Sequence, residues 1–227
     1  MGLAVVIRDA ATVIVLRDRT HVLMGQRSAT AAFMPAKFVF PGGAVDPGDA
    51  DIPFAAPLNR TCRGRLSHDS QLAPHTLAAT AIREVFEETG QRLSRPGAWT
   101  SPPADWRGFA ETGHQPDAST LEFIFRAVTP HGAPRRFDAR FFLADAATLS
   151  TDPDDFSQAA AELSAVQWVP LAQARQFDLP FITQIVLAEL TARLRGHVPD
   201  AIPFMREQDE AQVFARLGGE SPLAAQS

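Results

Sequence analysis

Three glutamates, Glu84, Glu87 and Glu88, fall at i, i+3 and i+4 within the run Arg83-Glu84-Val85-Phe86-Glu87-Glu88-Thr89-Gly90. Residues so spaced are neighbours on one side of a helix, where three carboxylates converge and repel one another. A hard divalent cation relieves that repulsion. Carboxylate oxygens suit Mg²⁺, which keeps several waters and commonly bridges to substrate phosphates. Ala78, Ala81, Ile82, Val85 and Phe86 give the same segment an apolar stripe to bury. Upstream, Phe40-Pro41-Gly42-Gly43-Ala44-Val45-Asp46-Pro47-Gly48-Asp49 is a Gly-rich turn entered from an apolar strand. Glycine there lets the backbone approach a ligand or metal with no side chain in the way. A solvated acidic helix face is the bland alternative, but it explains neither Arg83 and Gly90 nor the upstream turn.

Together these residues resemble the Nudix box, which reads Gly, five residues, Glu, seven residues, then Arg-Glu-apolar-x-Glu-Glu-x-Gly-apolar. Gly43 and the whole of Arg83 to Gly90 match. Asp49 stands where the box has its first Glu, and Gln91 where it ends on an apolar residue. The spacer, residues 50 to 82, is thirty-three residues long where the box has seven. The resemblance implies a Nudix-type α/β/α sandwich with a mixed sheet, and a Mg²⁺- or Mn²⁺-dependent hydrolase that cleaves a diphosphate linked to another moiety. It implies Glu87 and Glu88 as direct metal ligands, with Glu84 a further ligand or the group that activates water. The Gly42 carbonyl joins the ligand set. Arg83 orients a box carboxylate, with Asp49 as its partner.

Other segments resemble the coenzyme A diphosphatase-like branch of that family. They are Arg27-Ser28, Phe33-Met34-Pro35-Ala36, Val39-Phe40-Pro41-Gly42-Gly43 and Arg135-Arg136-Phe137-Asp138-Ala139-Arg140-Phe141-Phe142-Leu143-Ala144. That branch also carries a long insertion inside the box. Of its coenzyme A signature, Leu23, Arg27 and Ser28 fit, whereas Gly25, Ala32 and Ala36 stand at the Thr, Arg and Gly positions. The resemblance implies a nucleoside diphosphate derivative as substrate: coenzyme A or an acyl derivative first, then ADP-ribose, dinucleotides or nucleoside triphosphates. A Nudix-fold binding module without catalysis is the reading from another class. Arg27, Gly43 and Glu162 are the substrate-binding candidates. Inside the insertion, Arg60, Arg63 and Arg65 lie close to His68 and Asp69. They read either as a lid over an anionic substrate or as solvated decoration.

A net charge of -5 argues against a sequence-independent grip on nucleic acid, which needs a basic surface. Lys37 is the only lysine among 21 basic residues, so positive charge is almost entirely guanidinium, the group suited to bidentate phosphate contacts. The single Cys62 excludes an intrachain disulfide or a cysteine-based zinc site. No basic n-region, long apolar h-region or membrane span is present, and the expected location is the cytoplasm. Assembly is open, a homodimer included. The chain carries no Gly-x-Ser-x-Gly elbow, Walker loop or Gly-x-Gly-x-x-Gly turn for a rival hydrolase, NTPase or dehydrogenase reading.

These residues need a scaffold. Ala11 to Leu16 and His21 to Gly25 read as strands joined by the polar turn Arg17-Asp18-Arg19-Thr20, and Phe38 to Phe40 as a third. Residues 50 to about 74 read as irregular, punctuated by Pro53, Pro57, Gly64 and Pro74. The box helix should run from about Thr76 to Thr89 and end at Gly90. Residues 94 to 120 read as loop with at most one short helix. Leu121 to Val128, Phe137 to Leu143 and Leu163 to Val169 read as strands, and Pro180 to Arg195 as a helix packed on the sheet. The expected division is a Nudix domain over 1–196, its insertion at about 50–75, and a tail over 197–227 with a helix near Met205 to Leu217.

Overall fold

The computed structural model describes residues 6–31, 33–160, 162–208 and 211–217. Its centre is β1 (Ile7–Arg17), whose run Val13 to Val15 is wholly buried and apolar on both faces. A strand of that composition is stable only when both sheet faces are covered. β1 pairs antiparallel with β2 (His21–Arg27) through the turn Arg17-Asp18-Arg19-Thr20. Asp18 and Arg19 take positive φ of 51° and 57°, the twist that lets a two-residue hairpin match its strands.

On the other side β1 runs parallel to β8 (Arg136–Asp145) from Ile7↔Arg136 to Leu16↔Asp145. β7 (Glu122–Val128) then pairs antiparallel with β8. β3 (Phe38–Val39) and β9 (Leu163–Pro170) both pair with β2, while β4 (Gly42–Ala44) pairs with the first half of β1. A separate pair, β5 (Ser94–Pro96) with β6 (His114–Pro116), organises the stretch read from sequence as loop. The short helix expected there is α3 (Arg107–Glu111).

Helices cover both faces of the mixed sheet, as the α/β/α expectation required. α1 (Arg60–Leu66) and α2 (Pro74–Thr89) lie on one face, where Val13, Val15 and Phe142 meet Ile82, Val85 and Trp106. α4 (Phe181–Leu194) lies on the other, where Ile14, Phe125 and Phe141 meet Val186 and Leu190. Each such side chain stabilises the fold by about 1.5–3 kcal/mol on burial. Among the described residues no helix is long and apolar enough to cross a membrane.

Two expectations are corrected. The expected helix near Met205 to Leu217 is a hairpin: β10 (Ile202–Gln208) runs parallel to β7 at Phe204↔Arg126, and β11 (Ala211–Leu217) pairs antiparallel with β10. Without it β7 would leave a row of unpaired backbone groups at the sheet edge. Pairing there, with Ile202, Phe204 and Met205 buried, overrides local helical preference. The insertion is also not irregular throughout. Asn59 caps α1 by accepting from the Cys62 N–H at 2.8 Å, and Cys62 and Leu66 turn into the core.

Candidate active site

α2 starts at Pro74, whose fixed φ suits a first turn and whose missing N–H is not needed there. It stops at Gly90, which takes φ 75° and donates its N–H to the Phe86 carbonyl at 2.8 Å. Leu77, Ala78, Ala81, Ile82 and Val85 are buried against the sheet. That orientation turns Arg83, Glu84, Glu87 and Glu88 toward β4 and the turn after it.

Arg83 is the hub. Its Nε and Nη2 donate to the two oxygens of Asp49 at 2.9 and 3.1 Å, and Nη2 also reaches the Ala44 carbonyl at 3.1 Å. Its Nη1 donates to Glu84 Oε1 and Glu87 Oε2, both at 2.9 Å. Asp49 is fully buried and accepts further from Thr80 Oγ1 at 2.8 Å, Trp106 Nε1 at 2.9 Å and the Asp46 N–H at 3.1 Å. Burial alone would push this carboxyl up, but its bonds to Arg83, Asp46 and Thr80 bring it below the usual range. The shorter acid therefore reaches Arg83 across the spacer. Thr80 was legible in principle, lying one turn before Arg83 on α2; Trp106 belongs to a distant loop with no sequence signal.

The remaining carboxylates are short of positive charge. Burial raises Glu84 to about 7, with Arg83 opposing and Glu87 and Glu162 adding repulsion. Burial likewise raises Glu87, and it raises Glu88 well above the usual range, with Glu84 repelling it. Glu88 Oε2 accepts from the Gly42 N–H at 2.8 Å. Neither glycine of the turn has room for a side chain. A Cβ on Gly42 would meet the Ala11 carbonyl oxygen and Thr12 at 2.6 Å, and one on Gly43 would collide with the Glu84 carboxylate.

Glu84 and Glu87 border a cleft of about 370 Å³ on the α4 face of the sheet. Gly42, Gly43, Glu84 and Glu87 line it where β4 meets β1. Arg27 and Glu162 also line it, 3.9 Å apart, and the Arg27 Nε is buried without a hydrogen-bond partner. Phe33 and Phe137, edge to face with ring centres 5.3 Å apart, form another wall, and Arg8 and Arg135 complete it. The sequence reading did not single out Arg8, Phe137 or Arg135 as site residues. Nothing marks Arg8 locally, because its place depends on the parallel pairing of β1 with β8.

The insertion is not at this cleft. No residue of 50–75 lines it. Ile52, Leu58, Cys62 and Leu66 pack into the core on the α2 face, and Arg65 reaches the Asp200 carbonyl at 3.3 Å. The far end is tied down by Arg126, which donates to the Asp69 carbonyl at 2.7 Å, and Arg140, which donates to Ser70 Oγ at 3.3 Å. Those two arginines are cross-strand partners and share Asp138. The lid reading of Arg60, Arg63 and Arg65 therefore gives way, because alternate residues of a strand face opposite sides of a sheet.

Gln91, the other departure from the box, is fully buried. Its amide donates to the carbonyls of Asp152 and Asp155 at 3.1 and 2.8 Å and accepts from Thr151 Oγ1 at 2.7 Å. A polar side chain is tolerated there because every group it buries is paired.

Among the described residues no group of three or more His, Cys, Asp or Glu is drawn together ready to hold a metal ion. Glu84 and Glu87 are turned onto Arg83, and Glu88 onto the Gly42 N–H. The donor set nonetheless fits a hard divalent cation: it is all oxygen, and burial together with the repulsion between Glu84 and Glu88 disfavours their charged forms while no cation is bound.

The likeness to known proteins agrees with this architecture. A solved Nudix hydrolase structure from Alicyclobacillus acidocaldarius is 30% identical, with a TM-score of 0.63, over 84% of this chain and 93% of that one. The putative nudix hydrolase 7 of Caenorhabditis elegans is 29% identical over 175 residues, covering 71% of this chain and 51% of that protein. The human acyl-coenzyme A diphosphatase NUDT19 is 27% identical over 211 residues, covering 69% of this chain and 55% of that protein. The chain spans about half the length of these curated relatives. No family model matches it. With this fold, this box and that solved relative, the chain belongs to the Nudix hydrolase superfamily.

Proposed function

We propose that this chain is a Mg²⁺- or Mn²⁺-dependent diphosphatase acting on coenzyme A or acyl-coenzyme A, releasing 3',5'-ADP and the corresponding phosphopantetheine. The observation that carries the reading is the gathering of Glu84 and Glu87 on Arg83 and of Glu88 on the Gly42 N–H, at the edge of a cleft with aromatic and guanidinium walls. The coenzyme A assignment draws on the human and chicken relatives named acyl-coenzyme A diphosphatase NUDT19.

Glu87 and Glu88, with Gly42 beside them, would hold the cation. Once bound, such a cation neutralises phosphoryl oxygens and makes water a better nucleophile. The protein's own groups do the rest. Glu84, held by Arg83 at the cleft edge, takes the proton of the attacking water as its oxygen bonds to phosphorus. The bridging P–O bond breaks, and the proton passes on to the departing phosphate. Arg83, locked by Asp49, keeps Glu84 and Glu87 in place and has no donor to spare for substrate. Arg27 offers an unpaired N–H toward the phosphates, with Glu162 beside it. Gly43, having no side chain, lets the Glu84 carboxylate lie directly against the turn at the cleft.

A mass-spectrometric panel of coenzyme A, acetyl-coenzyme A, ADP-ribose, dinucleotides and nucleoside triphosphates, run with Mg²⁺ and with Mn²⁺, tests this. The expected product from coenzyme A is 3',5'-ADP. Turnover of ADP-ribose or dinucleotides with coenzyme A untouched would overturn the substrate and keep the hydrolase. No turnover of any compound with either metal would favour a binding module.

A further inference from the structure

Four arginines line the cleft, and two are already engaged. Arg83 is spent on Asp49, Glu84, Glu87 and Ala44, and Arg27 faces Glu162. Arg8 and Arg135 are exposed, and among the described residues neither side chain has a hydrogen-bond or ion-pair partner. Both reach one cleft because β1 and β8 run parallel in a fixed register: Arg8 lies opposite Phe137, two residues beyond Arg135. Arg8, Ala10 and Thr12 share one face of β1, and all three line the cleft. Thr12 is opposite Gly42, at the carboxylate end. Four residues of strand separate Arg8 from that point, about 13 Å of backbone, more than one arginine side chain spans. Beside Arg8 stand its cross-strand neighbour Phe137 and Phe33, whose ring faces and edges suit a heteroaromatic base.

We infer that Arg8 and Arg135 form a subsite for a second phosphate, carried on the nucleoside away from the scissile diphosphate. This rests on the reading of the chain as a hydrolase of nucleoside diphosphate derivatives, and it assigns the specificity for a 3'-phosphorylated ribose. Two guanidinium groups with free donors bind a phosphomonoester through paired charge-assisted hydrogen bonds. The same pair has nothing to bind on ADP-ribose or on a dephosphorylated coenzyme. The insertion arginines, on the opposite face, take no part.

Two measurements on the full chain test it. The first is the ratio of kcat/KM for coenzyme A over 3'-dephospho-coenzyme A with Mg²⁺. It should be about tenfold or more in the parent chain, in keeping with charge-assisted hydrogen bonds, and near one in the double variant Arg8→Ala/Arg135→Ala. The second needs no turnover: calorimetric binding of adenosine 3',5'-bisphosphate against AMP, which differ only in the 3'-phosphate. The bisphosphate should bind more tightly to the parent and lose that advantage in the double variant. Equal binding of the two ligands by the parent, or an advantage that survives the double substitution, overturns the subsite. If coenzyme A is not hydrolysed, the proposed reaction fails, and the binding comparison still decides the subsite.

Discussion

Asp49 holds Arg83 through both carboxylate oxygens, at 2.9 and 3.1 Å, across the whole length of the insertion. The pair is buried, and Asp49 is further fixed by Thr80 and Trp106. Losing one partner of a buried pair strands the other charge, which destabilises by roughly 3–5 kcal/mol.

Asp49→Ala should therefore lower the melting temperature by several degrees and reduce kcat through a loosened Arg83. Asp49→Asn, nearly the same shape, should lose less stability yet still lower kcat. Thermal melts paired with kcat for both variants check this. An Asp49→Ala chain with parental stability and turnover would show that the spacer has uncoupled this position from the site.

Glu88→Gln keeps the hydrogen bond from Gly42 in reach while removing a charge. Turnover should fall by about a hundredfold or more with the fold retained, and the Mg²⁺ concentration needed for half-maximal rate should rise. Glu84→Gln should lower kcat by roughly 10² to 10⁴, the usual worth of a general base. Circular dichroism and metal titrations separate these losses from unfolding. Full activity of either variant removes that residue from the chemistry.

Stability should fall as pH rises in metal-free protein. Glu84 titrates at about 7 in the fold and near 4.3 when unfolded. Between those values the folded chain holds the extra proton, so raising the pH favours the unfolded state. Glu88 shifts in the same direction. For Glu84 alone the effect is at most roughly 4 kcal/mol. Melting temperature in EDTA should thus drop from pH 5 to pH 8, and Mg²⁺ should raise it more at pH 8 than at pH 5. A melting temperature that climbs over that range in EDTA contradicts the assignment.

Gly43→Ala should abolish most activity while moving stability little, because the added methyl displaces only the Glu84 carboxylate. Gly42→Ala should destabilise strongly, because its methyl meets the β1 backbone. Comparing turnover and melting temperature of the two variants separates a site glycine from a packing glycine.

The parts legible from sequence were those whose neighbours lie close along the chain. α2 declared itself through its i, i+3, i+4 spacing, its apolar stripe and Gly90, and it begins only two residues before the expected Thr76. The β1–β2 hairpin and α4 followed the same local logic. The rest depends on distant partners. Ile202–Gln208 and Ala211–Leu217 are strands because β7 offers a free edge, which nothing within the segment announces. Trp106 reaches Asp49 from fifty-seven positions away. Arg8 and Arg135 come to one cleft only through the β1–β8 register. Arg60, Arg63 and Arg65 showed the converse: a suggestive cluster of charge, placed by Cys62 and Leu66 on the wrong side of the sheet.

That placement has a use. A segment spliced between Asp49 and α2 swings away from the reacting groups, and both its roots are clamped, by Arg83 at one side and by the start of the helix at the other. Loop closure grows only logarithmically with length, so the joint behaves as a modular socket. Length can be added there without disturbing the chemistry, and an engineer can graft a reporter beside the exposed His68 while the cleft on the far face keeps its shape.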